Sequence, residues 1–280
     1  MATNKDSSAK SLPTASPKPR RRASRAAVSI EQMAFVLHSV PYRETSLVVE
    51  LFGEKTGRFA AVAKGAKRPN SGLRAITQMF QPILIRTSGQ LELHNLTQAD
   101  WTGGILLPQA QALISAFYLN ELLLRLLHRH DPQEHLFEAY YLALEALGAS
   151  ESNESIEVGL RQFEWTLLQE SGYAPDLSQD ARGQAIQADR QYRWESGQGF
   201  VRLRGDIQAV QGGAPRSTQQ GHLQVSGQSL LDLAQSQFES ERSRSELKQM
   251  MRQLIAEQLG GKPLKTRQIF RHLQDFVAES

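Results

Sequence analysis

The spacing of apolar residues changes once along this chain, close to residue 108. Before that point, the chain contains short runs, rich in apolar residues, that are typical of β-strands. These runs cover residues 46–52, 58–63, 81–86 and 91–96. Short strands with brief connections predict a small β-barrel domain over residues 30–107.

After Pro108 the apolar residues recur at helical spacing, as Leu113, Phe117, Leu124 and Leu127 do. The pattern predicts one helix up to residue 128, a second that opens near Pro132 and ends at Gly148, and a third over residues 154–171. Further amphipathic segments follow at residues 229–238, 243–259 and 264–276.

Residues 176–226 lack this periodicity and are rich in glycine and glutamine. Within them, only residues 192–202 have the pattern of a small hairpin. We therefore expect residues 108–280 to form an α-helical domain that contains an irregular segment. The fold class predicted from the pattern is α+β, with a barrel first and a helical bundle second.

Charge is distributed unevenly along the 280 residues. The net charge is +3, but residues 1–29 carry seven basic side chains and one acidic one, so this tail contributes +6 and the remainder −3. Because the tail has almost no large apolar residues, we expect it to be disordered. Two interpretations stay open: the tail adds electrostatic affinity for nucleic acid, or it is a dispensable extension.

Composition also narrows the class of protein. No apolar run reaches the roughly 18 residues that span a bilayer, so we expect a cytoplasmic protein that makes no membrane contact. The absence of cysteine excludes disulfides, thiol catalysis and cysteine-based zinc sites. The sequence also lacks the signatures of serine hydrolases, P-loop NTPases, zinc peptidases and dinucleotide-binding folds. We therefore expect no catalytic residue and no cofactor.

One cluster resembles a set of metal ligands. His128, His130, Asp131, Glu134 and His135 offer nitrogen and oxygen atoms of the kind that bind zinc. Pro132 interrupts the helix within the cluster, so the histidines are not held on one face. A solvated surface between two helices is the favoured interpretation, and no metal is expected.

The barrel region contains a marked excess of positive charge. Residues 55–91 include seven basic residues and no acidic one. The excess is densest in the segment from Lys64 to Arg74, where glycines let the backbone approach a phosphate closely. Basic loops on a small barrel favour single-stranded nucleic acid as a ligand. The alternative is that these charges only keep the barrel in solution.

Several motifs together resemble the RecO family of bacterial DNA repair proteins. The resemblance extends from about Phe35 to Phe276, and the order and spacing of the motifs make it specific. The motifs are Ala34-Phe-Val-Leu-His-Ser39, Glu44-Thr-Ser-Leu47, Gly57-Arg58, Val62-Ala-Lys-Gly-Ala66, Tyr118-Leu-Asn-Glu-Leu-Leu123, Arg161-Gln-Phe-Glu164, Gly172-Tyr173, Tyr192-Arg-Trp194, Gly199-Phe200 and Gly261-Lys-Pro-Leu-Lys265.

The resemblance implies an N-terminal OB-fold followed by a helical domain, and a recombination mediator without catalytic turnover. Proteins similar to this family bind single- and double-stranded DNA and anneal complementary strands. Together with RecR they help to load RecA onto DNA coated by single-stranded-DNA-binding protein. The alternative is an OB-fold protein that binds RNA or nucleic acid in general and has no mediator activity.

Candidate DNA contacts follow from the basic loop and from a second basic group near the C-terminus. The second group extends the DNA path or only decorates a solvated helix face, and both interpretations remain open. Aromatic residues that could stack on bases are few, and Tyr42, Phe59 and Phe80 are as consistent with a barrel core. The candidate cations are Arg43, Arg58, Lys64, Lys67, Arg68, Arg74, Lys262, Lys265 and Arg267, with Arg271 in the second group.

The resemblance also implies a site for the acidic, apolar tail of single-stranded-DNA-binding protein, which ends in a phenylalanine carboxylate. Family members take this tail in the helical domain, and here Arg161 matches the arginine of the Arg-x-Phe-Glu motif. Leu160 and Leu168 would supply apolar contacts, and Arg125 and Arg129 would add positive field. The alternative for Arg161 is an ion pair with Glu157 or Glu164 on its own helix.

One departure from the family concerns the irregular segment. Some relatives hold a four-cysteine zinc motif in the part that corresponds to residues 175–227. With no cysteine here, we expect packing alone to hold this segment.

Overall fold

Five strands form a closed barrel in the first part of the chain. The computed structural model describes residues 29–89, 93–150, 152–203, 223–238 and 240–270. The strands are β1 (Ser29–Tyr42), β2 (Ser46–Gly53), β3 (Gly57–Ala63), β4 (Ile83–Ser88) and β5 (Leu93–Trp101). Residues 1–28 of the predicted disordered tail, residues 204–222 of the irregular segment and residues 271–276 of the last predicted helix, with Arg271, lie outside the described residues, whereas Ser29 begins β1.

The order of strands around the barrel is β1-β2-β3-β5-β4, and β1 closes it by pairing with β4. All pairs are antiparallel except β3 with β5, which run parallel. A parallel pair needs a crossover, and the chain between β3 and β5 supplies it, with a short 3₁₀ helix at Arg74–Thr77 and strand β4. The barrel that the short strand-like runs predict is thus confirmed, and β1 is a strand that they did not single out.

Five α-helices are found among the described residues. They are α1 (Ala110–Leu126), α2 (Glu134–Ala149), α3 (Asn153–Glu170), α4 (Gly227–Ala234) and α5 (Glu241–Gln258). Ser152, Ser226 and Ser240 cap α3, α4 and α5 by accepting a backbone N–H three residues on. Residues 265–270 are also helical. None of the helices in the described ranges has the length and apolar character needed to cross a membrane.

A shared apolar core joins the barrel to the helices. Phe35 and Phe52 are fully buried on the outer face of the barrel, where they meet aromatic rings of α2. The Phe35 ring lies edge-on to Tyr140 at 4.9 Å between centroids, and Phe52 lies 5.5 Å from Phe137. Because such rings bury large apolar areas, this contact fixes the orientation of the two parts.

Hydrogen bonds also connect the barrel to the helices. Asn120 of α1 donates to the Leu37 carbonyl oxygen at 3.0 Å and accepts a hydrogen bond from the Tyr140 hydroxyl. Both side chains are buried, so each bond removes an unsatisfied polar atom from the core.

Arg58 of β3 caps the C-terminal end of α1. Its guanidinium donates to the carbonyl oxygens of Leu124 and Leu127 at 2.6 and 3.0 Å, and these carbonyls at a helix C-terminus otherwise lack partners. Glu50 on β2 binds both Arg58 and Arg129. The barrel therefore contributes the C-terminal cap of the first helix.

The irregular segment is built around a small sheet. Strands β6 (Gln191–Glu195) and β7 (Gly199–Arg202) form the predicted hairpin, and β8 (Gln224–Ser226) pairs on the other side of β6. Upstream, the Asp180 carboxylate accepts the backbone N–H groups of Arg182 and Gln184 at 2.9 and 3.0 Å. Hydrogen bonds and buried rings such as Tyr192 hold the described part of this segment.

Candidate nucleic-acid surface and partner pocket

The basic loop leaves the barrel after β3 and is anchored at its base. Ala66 and Leu73 are buried in the barrel core, and the Lys67 N–H donates to the Thr45 carbonyl at 2.9 Å. Gly65 adopts a φ of 71°, which favours glycine, and its N–H donates to the Ser46 hydroxyl. The loop is thus fixed while its charged side chains, those of Lys64, Lys67, Arg68 and Arg74, are exposed.

Arg43 lies beside this loop, in the turn between β1 and β2. The turn is tied to the loop through the bond between Thr45 and Lys67. The Arg43 guanidinium lies 5.1 Å from the centroid of the Tyr42 ring, which is itself 37 % exposed. Among the other aromatic candidates, Phe59 and Phe80 are buried and are core residues.

The cations of the loop and of the turn are electrostatically uncompensated. Among the described residues, no ion pair involves Arg43 or any of the loop cations. Neighbouring basic residues of the barrel differ, because Arg58 binds Glu50 and Arg86 binds Glu31. A surface of unpaired, exposed cations suits a phosphate backbone.

The position of Arg58 favours a structural role over the predicted DNA contact. Its guanidinium is about one-sixth exposed and is already bonded to two carbonyl oxygens and to Glu50. A phosphate would have to compete with the cap of α1 for the same donors. The sequence could not reveal this, because the acceptors lie 66 and 69 residues further along the chain.

A cavity of about 660 Å³ opens between α1, α3, α5 and the C-terminal segment 259–270. Its walls combine apolar side chains with charged ones. The apolar residues include Ile114, Ile156, Leu160, Leu259, Leu264 and Phe270. The basic residues are Arg161, Lys248, Arg252, Lys262 and Arg267, and the acidic ones are Glu157 and Glu164. We call this cavity the helical pocket.

Leu160 and Arg161, which the sequence offered as contacts for the partner tail, both line the pocket. Leu168, in contrast, is buried in the helical core and does not line it. Arg129 binds Glu50 on the barrel. Arg125 supports the pocket from behind, donating to the carbonyl oxygens of Pro263 and Lys262 at 2.8 and 3.5 Å.

The second basic group is divided between two surroundings. Lys262 and Arg267, which the sequence offered as an extension of the DNA path, line the helical pocket. Lys265 is exposed outside it, and its backbone N–H is bound by Glu121. This placement favours a role for Lys262 and Arg267 in the pocket.

Arg161 forms the ion pair that was the alternative interpretation, and it does so inside the pocket. Its guanidinium contacts Glu164 Oε1 at 2.9 Å, and the Tyr118 hydroxyl donates to the same oxygen at 2.5 Å. Burial raises the pKa of Glu164, although the guanidinium of Arg161 partly offsets this effect. Burial likewise raises the pKa of Tyr118, so the phenol stays protonated.

Glu121 holds the wall of the pocket in place. Its carboxylate accepts hydrogen bonds from the backbone N–H groups of Lys265 and Thr266 at 2.8 and 2.9 Å, and from the Thr266 hydroxyl at 2.8 Å. Burial alone would raise the pKa of Glu121, but these hydrogen bonds and Arg125 outweigh it and lower the pKa. Glu121 thus caps the helix at residues 265–270 as a carboxylate.

Sequence reasoning missed the contribution of α5. Lys248 and Arg252 line the pocket from this helix, although the nearest pocket residue on α3 is more than 80 positions earlier. The amphipathic pattern of α5 indicated a buried face but not the element that it packs against.

The histidine cluster has no metal-site geometry. His135 Nδ1 lies 3.4 Å from Glu170, and the His130 ring lies 5.4 Å from His94 on β5. In the described part of the chain, no group of three or more His, Asp or Glu side chains is placed to hold a metal ion.

Comparison with known proteins gives matches over nearly the whole chain. A family model described as "Recombination protein O N terminal" matches residues 28–105, and one described as "Recombination protein O C terminal" matches residues 108–268. The DNA repair protein RecO of Nitrosospira multiformis is 46 % identical over 244 residues, which cover 87 % of this chain and 95 % of the relative.

Two further relatives carry the same name. The DNA repair protein RecO of Dechloromonas aromatica is 43 % identical, with 87 % of this chain and 96 % of the relative covered. That of Burkholderia orbicola is 41 % identical, with 93 % and 91 % covered.

Proposed function

The chain belongs to the RecO family, and on that premise we propose that it is a recombination mediator in DNA repair that works without catalytic turnover. The proposal comprises binding of single- and double-stranded DNA, annealing of complementary strands and, with RecR, loading of RecA onto DNA coated by single-stranded-DNA-binding protein. The bacterial cytoplasm, at the nucleoid, is the proposed place of action. The observation that carries the proposal is that one chain presents both an exposed basic surface without ion pairs and an apolar pocket rich in cations.

The basic loop supplies the DNA site. Annealing brings two phosphate backbones together, and exposed cations must offset their repulsion. Lys64, Lys67, Arg68, Arg74 and Arg43 are the contacts that we propose, because they are exposed or lie in the adjoining turn. Cations without a row of stacking rings bind the backbone with little preference for base.

The helical pocket supplies the site for the tail of single-stranded-DNA-binding protein. A peptide that ends in an aromatic residue and carries several carboxylates needs an apolar cavity surrounded by cations. The pocket has five basic residues and two acidic ones on its walls. Arg252 and Lys262 are exposed at its rim, where they can meet acidic side chains of the peptide.

A crossed binding experiment tests both sites. Fluorescence anisotropy would follow a labelled acidic peptide that ends in phenylalanine, and separately a labelled single-stranded oligonucleotide. We expect Arg252→Ala and Lys262→Ala to weaken peptide binding about 2- to 5-fold each and to leave DNA binding nearly unchanged, since an exposed ion pair contributes up to about 1 kcal/mol. Arg74→Ala should do the reverse.

Each outcome distinguishes the candidates. Saturable peptide binding that the pocket variants weaken supports the mediator. Salt-dependent binding of RNA and DNA alike, with no binding of the peptide, would instead support the alternative of a general nucleic-acid-binding protein.

A further inference from the structure

The base of the helical pocket contains a carboxylate with unused hydrogen-bonding capacity. Glu164 is 1 % exposed. Its Oε1 accepts hydrogen bonds from Tyr118 and Arg161, whereas its Oε2 has no hydrogen-bond partner. Arg161 is 7 % exposed, and its Nε is also without a partner. Buried polar atoms are rarely left unpaired, so this pair is incompletely satisfied in the free protein.

We propose that Glu164 is an internal competitor for the ligand carboxylate in the helical pocket. When a peptide binds, its terminal carboxylate takes the Arg161 guanidinium from Glu164, and Glu164 takes up one proton from solvent. The inference rests on the proposed function of this pocket as a peptide site, and it adds the residue that makes the pocket selective for a free carboxylate.

The surroundings of Glu164 determine its charge. Tyr118 of α1 and Arg161 of α3 contact it directly, and Arg252 of α5 and Arg267 of the C-terminal helix act on it at longer range. The remaining charged groups of the pocket are Glu157, Lys248 and Lys262. Glu157 is bound to Lys248 at the pocket edge.

Burial changes the pKa of two groups in the pocket, and no histidine lines it. It raises the pKa of Tyr118, so the phenol stays protonated. It also raises the pKa of Glu164 above its usual value, against the opposing effect of Arg161. A second carboxylate beside it, together with the loss of Arg161, raises the pKa of Glu164 further.

Proton uptake by Glu164 determines how peptide affinity changes with pH. The complex holds more protons than the free protein, so peptide affinity increases as pH falls between the higher pKa of Glu164 in the complex and its lower pKa in the free protein. A ligand without a carboxylate cannot replace Glu164 on Arg161. Such a ligand leaves the ion pair intact and binds without proton uptake.

Titration calorimetry of the wild-type protein tests this directly. The peptide would be titrated with a free C-terminal carboxylate and as the C-terminal amide, from about pH 5.5 to 8.5, in buffers of different ionisation enthalpy. We expect close to one proton taken up with the acid and none with the amide. The affinity for the acid should rise by up to about tenfold for each unit fall in pH.

Two variants sharpen the test. Glu164→Gln cannot take up the proton and competes only weakly for Arg161, so it should bind the acid peptide more tightly at high pH and without pH dependence. Glu145→Gln changes an exposed acidic residue of α2 outside the pocket and should keep the wild-type affinity and pH profile. Circular dichroism checks that each variant is folded.

The results separate this inference from the function on which it rests. Peptide binding with no proton uptake, or with equal uptake for acid and amide, overturns the role of Glu164 and leaves the peptide site standing. Failure of the wild type to bind either peptide overturns the peptide site itself. Because the decisive titration uses wild-type protein, the conclusion does not depend on Glu164→Gln being stable.

Discussion

At the scale of single residues, the side chains that matter most here act on groups far away in the sequence. Arg58 caps a helix whose last carbonyls are 66 and 69 residues further on, and Asn120 binds a carbonyl 83 residues earlier. Both residues belong to short motifs, and the sequence offered Arg58 as a DNA contact because it does not reveal such distant partners. Their partners show that they join the barrel to the helices.

Asn120 offers a measurable example. Asn120→Ala would leave the Tyr140 hydroxyl and the Leu37 carbonyl buried without partners, and we expect the free energy of unfolding to fall by about 2–3 kcal/mol. The same change at Asn95, which is exposed on β5, should alter it by less than about 0.5 kcal/mol. Urea unfolding of the two variants compares them, and equal effects would contradict a structural role for Asn120.

At the scale of elements, local pattern was sufficient for most of the strands and helices. Short strand-like runs located β2 to β5, and helical spacing located α1, α2 and α3. β1 was not singled out, and its burial changes along its length: Ala34, Phe35, Val36 and Leu37 are buried in succession, whereas the ends of the strand are largely exposed. A strand whose surroundings change along its length has no single periodic pattern.

The same distinction applies to the candidate sites. The exposure of the basic loop is a local property, and the cations that the sequence offered there as DNA contacts are exposed. The helical pocket is formed by elements distant in sequence, so Leu160 and Arg161 were placed in it, whereas Lys248 and Arg252 were not. The family resemblance, which the comparisons confirm, supplied what periodicity could not.

The loop makes a prediction at this scale. If Arg43, Lys64, Lys67, Arg68 and Arg74 each neutralise one phosphate, the logarithm of the affinity for single strands should fall with the logarithm of salt concentration with a slope of about −3.5. Replacing Lys67 and Arg68 with glutamine should reduce that slope to about −2. The slope would come from anisotropy titrations at several salt concentrations.

A control identifies the loop as the source of the slope. Arg182 is exposed in the irregular segment, away from the barrel strands, and Arg182→Gln should leave the slope unchanged. If Arg182→Gln lowered the slope as much as the loop variants do, binding would have to be spread over the general positive charge of the protein.

At the scale of the whole molecule, one apolar cluster joins the barrel to the helices. Phe35 and Phe52 of the barrel belong to the same apolar cluster as the residues of α1, α2 and α5. We therefore expect fluorescence of the tryptophans, which lie in both parts, and far-UV circular dichroism to report the same unfolding transition.

Substitutions at two glycines test the packing of the barrel against the helical part. A Cβ at Gly57 would lie 1.9 Å from the carbonyl oxygen of Asp131, and the residue has a φ of +65°, so Gly57→Ala should destabilise the protein by more than about 1 kcal/mol. Gly72 has open space around it, and Gly72→Ala should change stability by less than about 1 kcal/mol. Thermal unfolding compares the two, and a mild effect at Gly57 would contradict a close contact between β3 and the loop after α1.

Because the barrel and the helices share a core, the basic loop and the helical pocket can act together even if each binds its ligand weakly. A partner that coats DNA and carries its acidic tail on a flexible linker would meet both sites on a single rigid body, so once one site is engaged the second encounter becomes intramolecular. Short flexible linkers give local concentrations of the order of millimolar, and joint engagement can exceed either separate affinity by about 100-fold or more. Under the proposed function, the packing of the barrel against the helices therefore makes the protein bind coated DNA more tightly than it binds either DNA alone or the coating protein alone.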